Sequence, residues 1–375
     1  MFKAKRTPAV DYIFISLSLV IVGIGLLLLS SASSVVSFQK FGSSYYYVQR
    51  QLIYGLLPGI FFFILLSKID YHRLVKYALP LFIVSIGALV AVLIPGVGSG
   101  FGGASRWLDI GIFSFQPSEI VKLSLILYLA YWFDKKGVEE IRTWKHGTIP
   151  FVILLSIVSG LLIMQPDMGT MMVIAVTVFV LYFLAGARLL NIFSLMLAGS
   201  GLLYFLIKIA PYRLSRLTVF FNPGFDPQGI GYHINQALLA VGSGGFWGLG
   251  LGHSRQKYQY LPEVTGDSIF AVVAEELGFL LTAVLIILLV ALILRGLKMA
   301  KQAPDNLGRL LASGIMIWLG LQIFINIAAM LNLIPLTGIP LPFISHGGTA
   351  LVVALASLGI IVNISSQARV VETRR

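Results

Sequence analysis

Ten long apolar runs decide what this chain can become. They fall near residues 12–32, 50–67, 77–95, 117–133, 149–164, 169–185, 190–208, 268–294, 309–331 and 347–364. A bilayer core needs about 20 apolar residues per helix, and each backbone N–H and C=O inside it must be satisfied within the protein. Soluble chains hold roughly 25% charged residues. Here the share is 11%, against 58% hydrophobic, and the mean hydropathy is +0.92. The spacing predicts an all-α polytopic membrane protein of about ten transmembrane helices and excludes a string of soluble domains. With no cysteine in its 375 residues, the chain has neither a disulfide framework nor a thiolate metal site.

The first run follows Lys3, Lys5 and Arg6 and ends at Ser31-Ala32-Ser33, a small-residue pattern like a signal-peptide cleavage site. Its length predicts a retained span instead. Lys and Arg concentrate in cytoplasmic connections of membrane proteins. With a cytoplasmic N-terminus, only Lys40, Arg50, Arg106, Lys208, Arg213, Arg216, Arg255 and Lys257 fall outside, and Lys122 lies within a span; the remainder of the 27 Lys and Arg are cytoplasmic. Both termini are then cytoplasmic, in a single domain over 1–375 with a short tail at 365–375. The net charge of +12 is scattered between apolar spans, so it writes topology and predicts no nucleic-acid partner. The largest outer loop, 209–266, joins the seventh and eighth spans. It holds Phe220, Phe221, Phe225, Tyr232, Phe246, Trp247, Tyr258 and Tyr260, too many aromatics for disorder. Short amphipathic or re-entrant helices on the outer surface are expected, one over 232–241.

The stretch from Tyr258 to Phe279, YQYLPEVTGDSIFAVVAEELGF, carries three carboxylates into an apolar run. Ionisable residues at membrane depth are candidate functional groups. Asp267 stands at the mouth of a helix expected to run unbroken over 268–294, where it serves either as an N-cap or as a water-facing acid. Glu275 lies about 80° around the helix and roughly 12 Å deeper, and Glu276 about 180° away, so neither shares a small reaction centre with Asp267. In the fourth span Glu119 and Lys122 are three residues apart, on one face. They form either a mutually neutralising pair or part of a site, and Arg106 reaches the same mouth. Gln165-Pro166-Asp167-Met168-Gly169-Thr170 is a plain turn or the edge of an aqueous cavity. Three prolines make 335–348 an extended or re-entrant segment. His346 alone is no metal site, and the five histidines show no zinc-type spacing.

Polar groups thus gather on the outer face. Asp267 supplies a carboxylate for acid–base work. Arg106, Lys122, Arg213, Arg216, Arg255 and Lys257 supply cations for an anionic phosphate. The residues alone support an enzyme acting on a lipid-linked anion, or a transporter of one.

Five segments carry a resemblance: RWLDIGIFSFQPSE with Lys122; QPDMGT; the run from NPGFDPQGIGYHINQ to YQYLPE; DSIFAVVAEELGF; and LIPLTGIPLPFISHGGTA. In this order they resemble the SEDS family (shape, elongation, division and sporulation proteins), which includes FtsW, RodA and SpoVE. The short run between Gly248 and Leu261 is more similar to the FtsW/SpoVE branch. The resemblance covers nearly the whole chain. It implies a peptidoglycan glycosyltransferase that polymerises lipid II outside the cytoplasmic membrane. Implied partners are a class B penicillin-binding transpeptidase and other divisome or elongasome proteins. The family's essential aspartate falls on Asp267, and its fourth-span acid and lysine on Glu119 and Lys122. Relatives usually read His-Thr-Asp-Phe where this chain has Thr265-Gly266-Asp267-Ser268, and Tyr where it has His346.

The implied reaction inverts the donor's anomeric carbon and releases undecaprenyl pyrophosphate. Asp267 is then the base, and Arg213, Arg216, Arg255 and Lys257 face the leaving pyrophosphate as a group. Glu119 and Lys122 shape the cavity or assist either substrate. No cofactor is implied, a divalent cation is compatible with the chemistry, and the sequence fixes no metal ligand. The rival reading is a lipid II flippase. The ninth span carries Ala312, Ser313, Gly314 and Gly320, a stripe that either meets the transpeptidase's membrane helix or packs inside the protein.

Overall fold

The computed structural model describes residues 11–101, 104–111 and 113–368; the basic residues Lys3, Lys5, Arg6, Arg369, Arg374 and Arg375 lie outside them. In chain order, α1 (Tyr12–Phe41), α2 (Tyr46–Lys68) and α3 (Tyr71–Val92) come first. The small sheet β1 (Gly98–Phe101), β2 (Ala104–Ile110) and β3 (Phe113–Phe115) follows. Next are α4 (Pro117–Ile141), α5 (Trp144–Met164), α6 (Met168–Leu184) and α7 (Leu189–Ile209). Two shorter helices, α8 (Pro211–Phe221) and α9 (Tyr232–Ser243), precede α10 (Ile269–Lys301), α11 (Asn306–Met330) and α12 (Gly348–Gln367). Among the described residues, eight of these helices are long and apolar enough to cross a membrane. With the shorter α6 and the more charged α4 they fall on the ten predicted runs. The protein is an all-α integral membrane protein.

Helix ends follow local chemistry. Asp11 caps α1 by accepting from the Phe14 N–H at 3.0 Å, and Gly42 closes it in the left-handed region (φ 70°). The first helix therefore runs past the predicted residue 32, and Ser31-Ala32-Ser33 lies inside it. Asp167 and Asp305 cap α6 and α11 in the same way, at 3.2 and 2.7 Å. The loop 95–119 forms the antiparallel order β1-β2-β3, and Pro117 then opens α4. Pro at a first turn loses no helical hydrogen bond.

The bundle is built around α11 and α12, most of whose residues are buried. At the other extreme, α7 has one buried residue, Asn191, whose amide donates to Thr148 Oγ1 at 2.8 Å. The rest of α7 presents Leu, Phe and Met outward, as a lipid-facing helix does.

One expectation fails instructively. The predicted continuous helix from 268 is broken at Gly278 (φ 70°, ψ −177°). A break frees backbone groups that an apolar environment cannot satisfy. The loop 245–250 fills it: Leu249 and Gly250 N–H donate to the carbonyls of Glu275 and Glu276 at 3.1 and 3.0 Å. In return, Phe279 and Leu280 N–H donate to Gly245 and Phe246 at 2.9 and 3.2 Å. Only glycine fits at 278, because a Cβ would lie 2.1 Å from the Gly248 nitrogen.

Candidate active site

Asp267 ends the loop after α9, two residues before α10. Ser268 occupies the N-cap position and makes no side-chain capping bond, so Asp267 is not the cap. Its loop is instead held through the main chain by the 335–346 segment. Ser345 Oγ donates to the Gly266 carbonyl at 2.7 Å, and the His346 N–H to the Thr265 carbonyl at 2.8 Å. From α11, Asn326 Nδ2 donates to the Asp267 carbonyl at 2.7 Å. The carboxylate is left with a weak contact, from Ser268 Oγ at 3.5 Å. It is half-buried and points past Gly338, whose built Cβ would lie 3.8 Å from Oδ2.

Burial pushes the Asp267 carboxyl up to about 6, against the opposing pull of the Arg216 guanidinium and the Ser268 hydroxyl. A carboxylate poised there is ionised at neutral pH yet basic enough to accept a proton. Ser268 Oγ meets His233 Nε2 at 2.6 Å. His346 stacks edge-on against Tyr47 at 5.0 Å, and burial lowers it to about 4, so its imidazole is neutral.

The predicted cations separate into three kinds of place. Arg216, exposed on α8, donates from Nη1 to the Leu336 carbonyl at 3.0 Å and stands beside Asp267. Arg106, on β2, donates to the carbonyls of Gln165 (3.3 Å) and Pro166. That turn packs on the same segment, since a Cβ on Gly169 would meet the Thr337 carbonyl at 2.6 Å. Arg216, Arg106 and Asp267 are thus gathered around residues 336–339. Arg213 turns away: its Nη1 donates to the Leu206 carbonyl at 2.7 Å and its Nε to Tyr212 Oη at 2.9 Å. Arg255 is exposed, with its main-chain N–H on Glu275 Oε1 at 3.0 Å.

Lys257 does not join the expected pyrophosphate group. Its ammonium is buried against Glu276 Oε1 at 2.9 Å, and reaches the Ser31 carbonyl on α1 at 3.4 Å. Glu275 accepts from Ser254 Oγ and from the Arg255 and Gln256 N–H groups. The two glutamate side chains are therefore clamps for segment 254–257, which follows the loop that fills the break in α10, a role that sequence spacing did not reveal. No group of three or more His, Asp or Glu side chains gathers as a metal site among the described residues.

Glu119 and Lys122 pair at 2.7 Å with side chains 3% exposed. The Lys122 ammonium also donates to Gln322 Oε1 at 2.8 Å and lies 5.0 Å over the Trp318 ring. Gln322 in turn accepts from Trp318 Nε1 at 2.9 Å and donates to the Pro340 carbonyl at 3.1 Å. The pair thus supports the 335–346 segment from beneath. Gln322 and Asn326, the amides that make this connection, were missed because they read as two polar residues in an apolar run.

These features define an integral membrane protein with a lone, raised carboxylate at a broken helix, faced by an exposed arginine. The profile of the Cell cycle protein family of FtsW, RodA and SpoVE matches residues 11–370, and the chain belongs to that family. It is 39% identical to the probable peptidoglycan glycosyltransferase FtsW of Trichlorobacter lovleyi, over 97% of this chain and 95% of that protein. It is equally similar, 39%, to the stage V sporulation protein E of Bacillus subtilis, over 98% of this chain and all of that one. Among solved structures, a chain of a peptidoglycan synthase complex superposes with a TM-score of 0.78 at 29% identity, covering 95% of this chain and 98% of its own length. The rod shape determining protein RodA of Thermus thermophilus gives 0.70, also at 29% identity, covering 95% and 97%.

Proposed function

We propose that this protein polymerises lipid II into glycan strands on the outer face of the bacterial cytoplasmic membrane, with Asp267 as the general base. Family membership supports the reaction. The observation that carries the base assignment is a half-buried carboxylate that, among the described residues, neither caps α10 nor closes an ion pair, raised to about 6. The acceptor hydroxyl loses its proton to Asp267 as its oxygen bonds to the donor's anomeric carbon. The bond from that carbon to the pyrophosphate oxygen breaks on the opposite side, which inverts the centre. Charge then grows on the pyrophosphate, and a cation beside it stabilises the transition state more than the ground state. Arg216 is best placed for that role, with Arg106 of β2 held against the neighbouring turn.

The transporter reading has less support. Glu119 and Lys122, the charges that would line a path, neutralise each other in a closed contact. Asp267→Asn keeps the shape and removes the basicity. Purified protein in detergent, with no second compartment, should lose at least about 10²-fold in glycan polymerisation while staying folded. Near-normal turnover in that variant would sink the assignment.

An apolar groove supports docking of a class B transpeptidase on this protein. It measures about 360 Å³ and runs between α10 and α11, lined by Ile286, Val290, Ile293, Gly320, Phe324 and Leu333 among others. We assign it to the transpeptidase's single membrane helix, which the small Gly320 would let approach closely.

A further inference from the structure

Asn326 lies within α11, 1% exposed, where an amide without partners is costly. Its Nδ2 donates two bonds of 2.7 Å, to the carbonyls of Asp267 and Ile339. Both partners are acceptors, so the amide cannot turn over without losing both bonds. One helical turn earlier, on the same face, Gln322 fixes the Pro340 carbonyl and rests on Lys122 and Trp318. Two buried amides therefore fasten one face of α11 to the main chain of the proline-rich segment. Only Asn326 reaches across to the acid. The ties from the 335–346 segment to the acid's loop, from Ser345 and His346, hold Gly266 and Thr265. The side chain that meets the carboxylate is Ser268, at 3.5 Å, beside the main-chain N–H groups of Asp267 and Ser268. Its direction is consequently set through the backbone.

We propose that Asn326 is a positioning residue for Asp267, aiming the carboxylate by holding its residue's carbonyl and that of Ile339 on one amide. This rests on Asp267 being the base. A catalytic group displaced by about 1 Å loses roughly 10²-fold in rate, because a productive approach depends on distance and alignment. A residue that acts only through the base should affect the chemical step and leave substrate binding alone.

The test uses full-length protein and a lipid-linked disaccharide substrate, with rates expressed per folded molecule after thermal unfolding and size-exclusion checks. Asn326→Leu keeps the branched outline and removes both donors, and Asn326→Ala removes them with less bulk. Expected is a fall in kcat of roughly 10–100-fold with KM within about twofold. Added to Asp267→Asn, Asn326→Leu should lower the residual rate no further, because a base that is gone cannot be misaimed. Wild-type kcat in either folded variant overturns the proposal, and so does an additive loss in the Asp267→Asn background. Failure of both variants to fold overturns it as well, since it makes Asn326 a residue of the fold. The base assignment fails by a different result, retained activity in Asp267→Asn, whatever the Asn326 variants do.

Discussion

Lys257 and Glu276 meet at 2.9 Å with side chains 2% and 1% exposed. Removing one partner of such a pair leaves an uncompensated buried charge, at about 3–5 kcal/mol. Lys257→Met should therefore lower the folded yield and the unfolding temperature in detergent. The molecules that do fold should keep their KM for lipid substrate. A raised KM with unchanged stability would return Lys257 to the substrate site.

Glu119 and Lys122 form the second closed pair. Glu119→Gln and Lys122→Met should each destabilise, and the double variant should lose less than the sum of the two. The measurement is thermal unfolding across the four proteins of the cycle. Strict additivity would mean that the two charges act independently.

Polymerisation should depend on pH through Asp267. Only the ionised carboxylate accepts a proton, so the rate should hold above about pH 6 and fall about tenfold per unit below it. Arg216 favours the ionised form. Arg216→Gln should therefore push the carboxyl higher and move the acid limb to higher pH, as well as lowering the plateau. An acid limb that stays in place would show that Arg216 does not act on this acid.

The small-residue stripe on α11 divides between the protein's interior and its surface. A Cβ on Gly314 would lie 2.8 Å from Ile126, inside the bundle, so Gly314→Leu should unfold the protein. Gly320 borders the groove, 3.2 Å from Ile293 by the same measure. Gly320→Leu should leave the protein folded and reduce co-purification of the transpeptidase. Undiminished binding would place that interface elsewhere.

Much of this was legible because its signals are local. Apolar runs marked the helices, a lone acid at a span's mouth marked Asp267, and three-residue spacing paired Glu119 with Lys122. What was hidden depends on contacts distant in sequence. A single glycine in an apolar run is tolerated in many helices, so Gly278 gave no sign of a break until the 245–250 loop was seen inside it. Lys257 looked like a free cation because nothing local announces Glu276, nineteen residues on. The Asp267 cap was locally plausible and lost to Ser268.

The exchange of backbone bonds at Gly278 also bears on how the protein is made. Segment 245–250 precedes α10, so it has already left the ribosome when the glycine emerges. The first half of α10 has no satisfied end in an apolar medium until that segment joins it. Loop and half-helix must therefore enter the bilayer as one folded unit. A chain delayed between them would present open carbonyls to lipid, the kind of intermediate that membrane quality control removes.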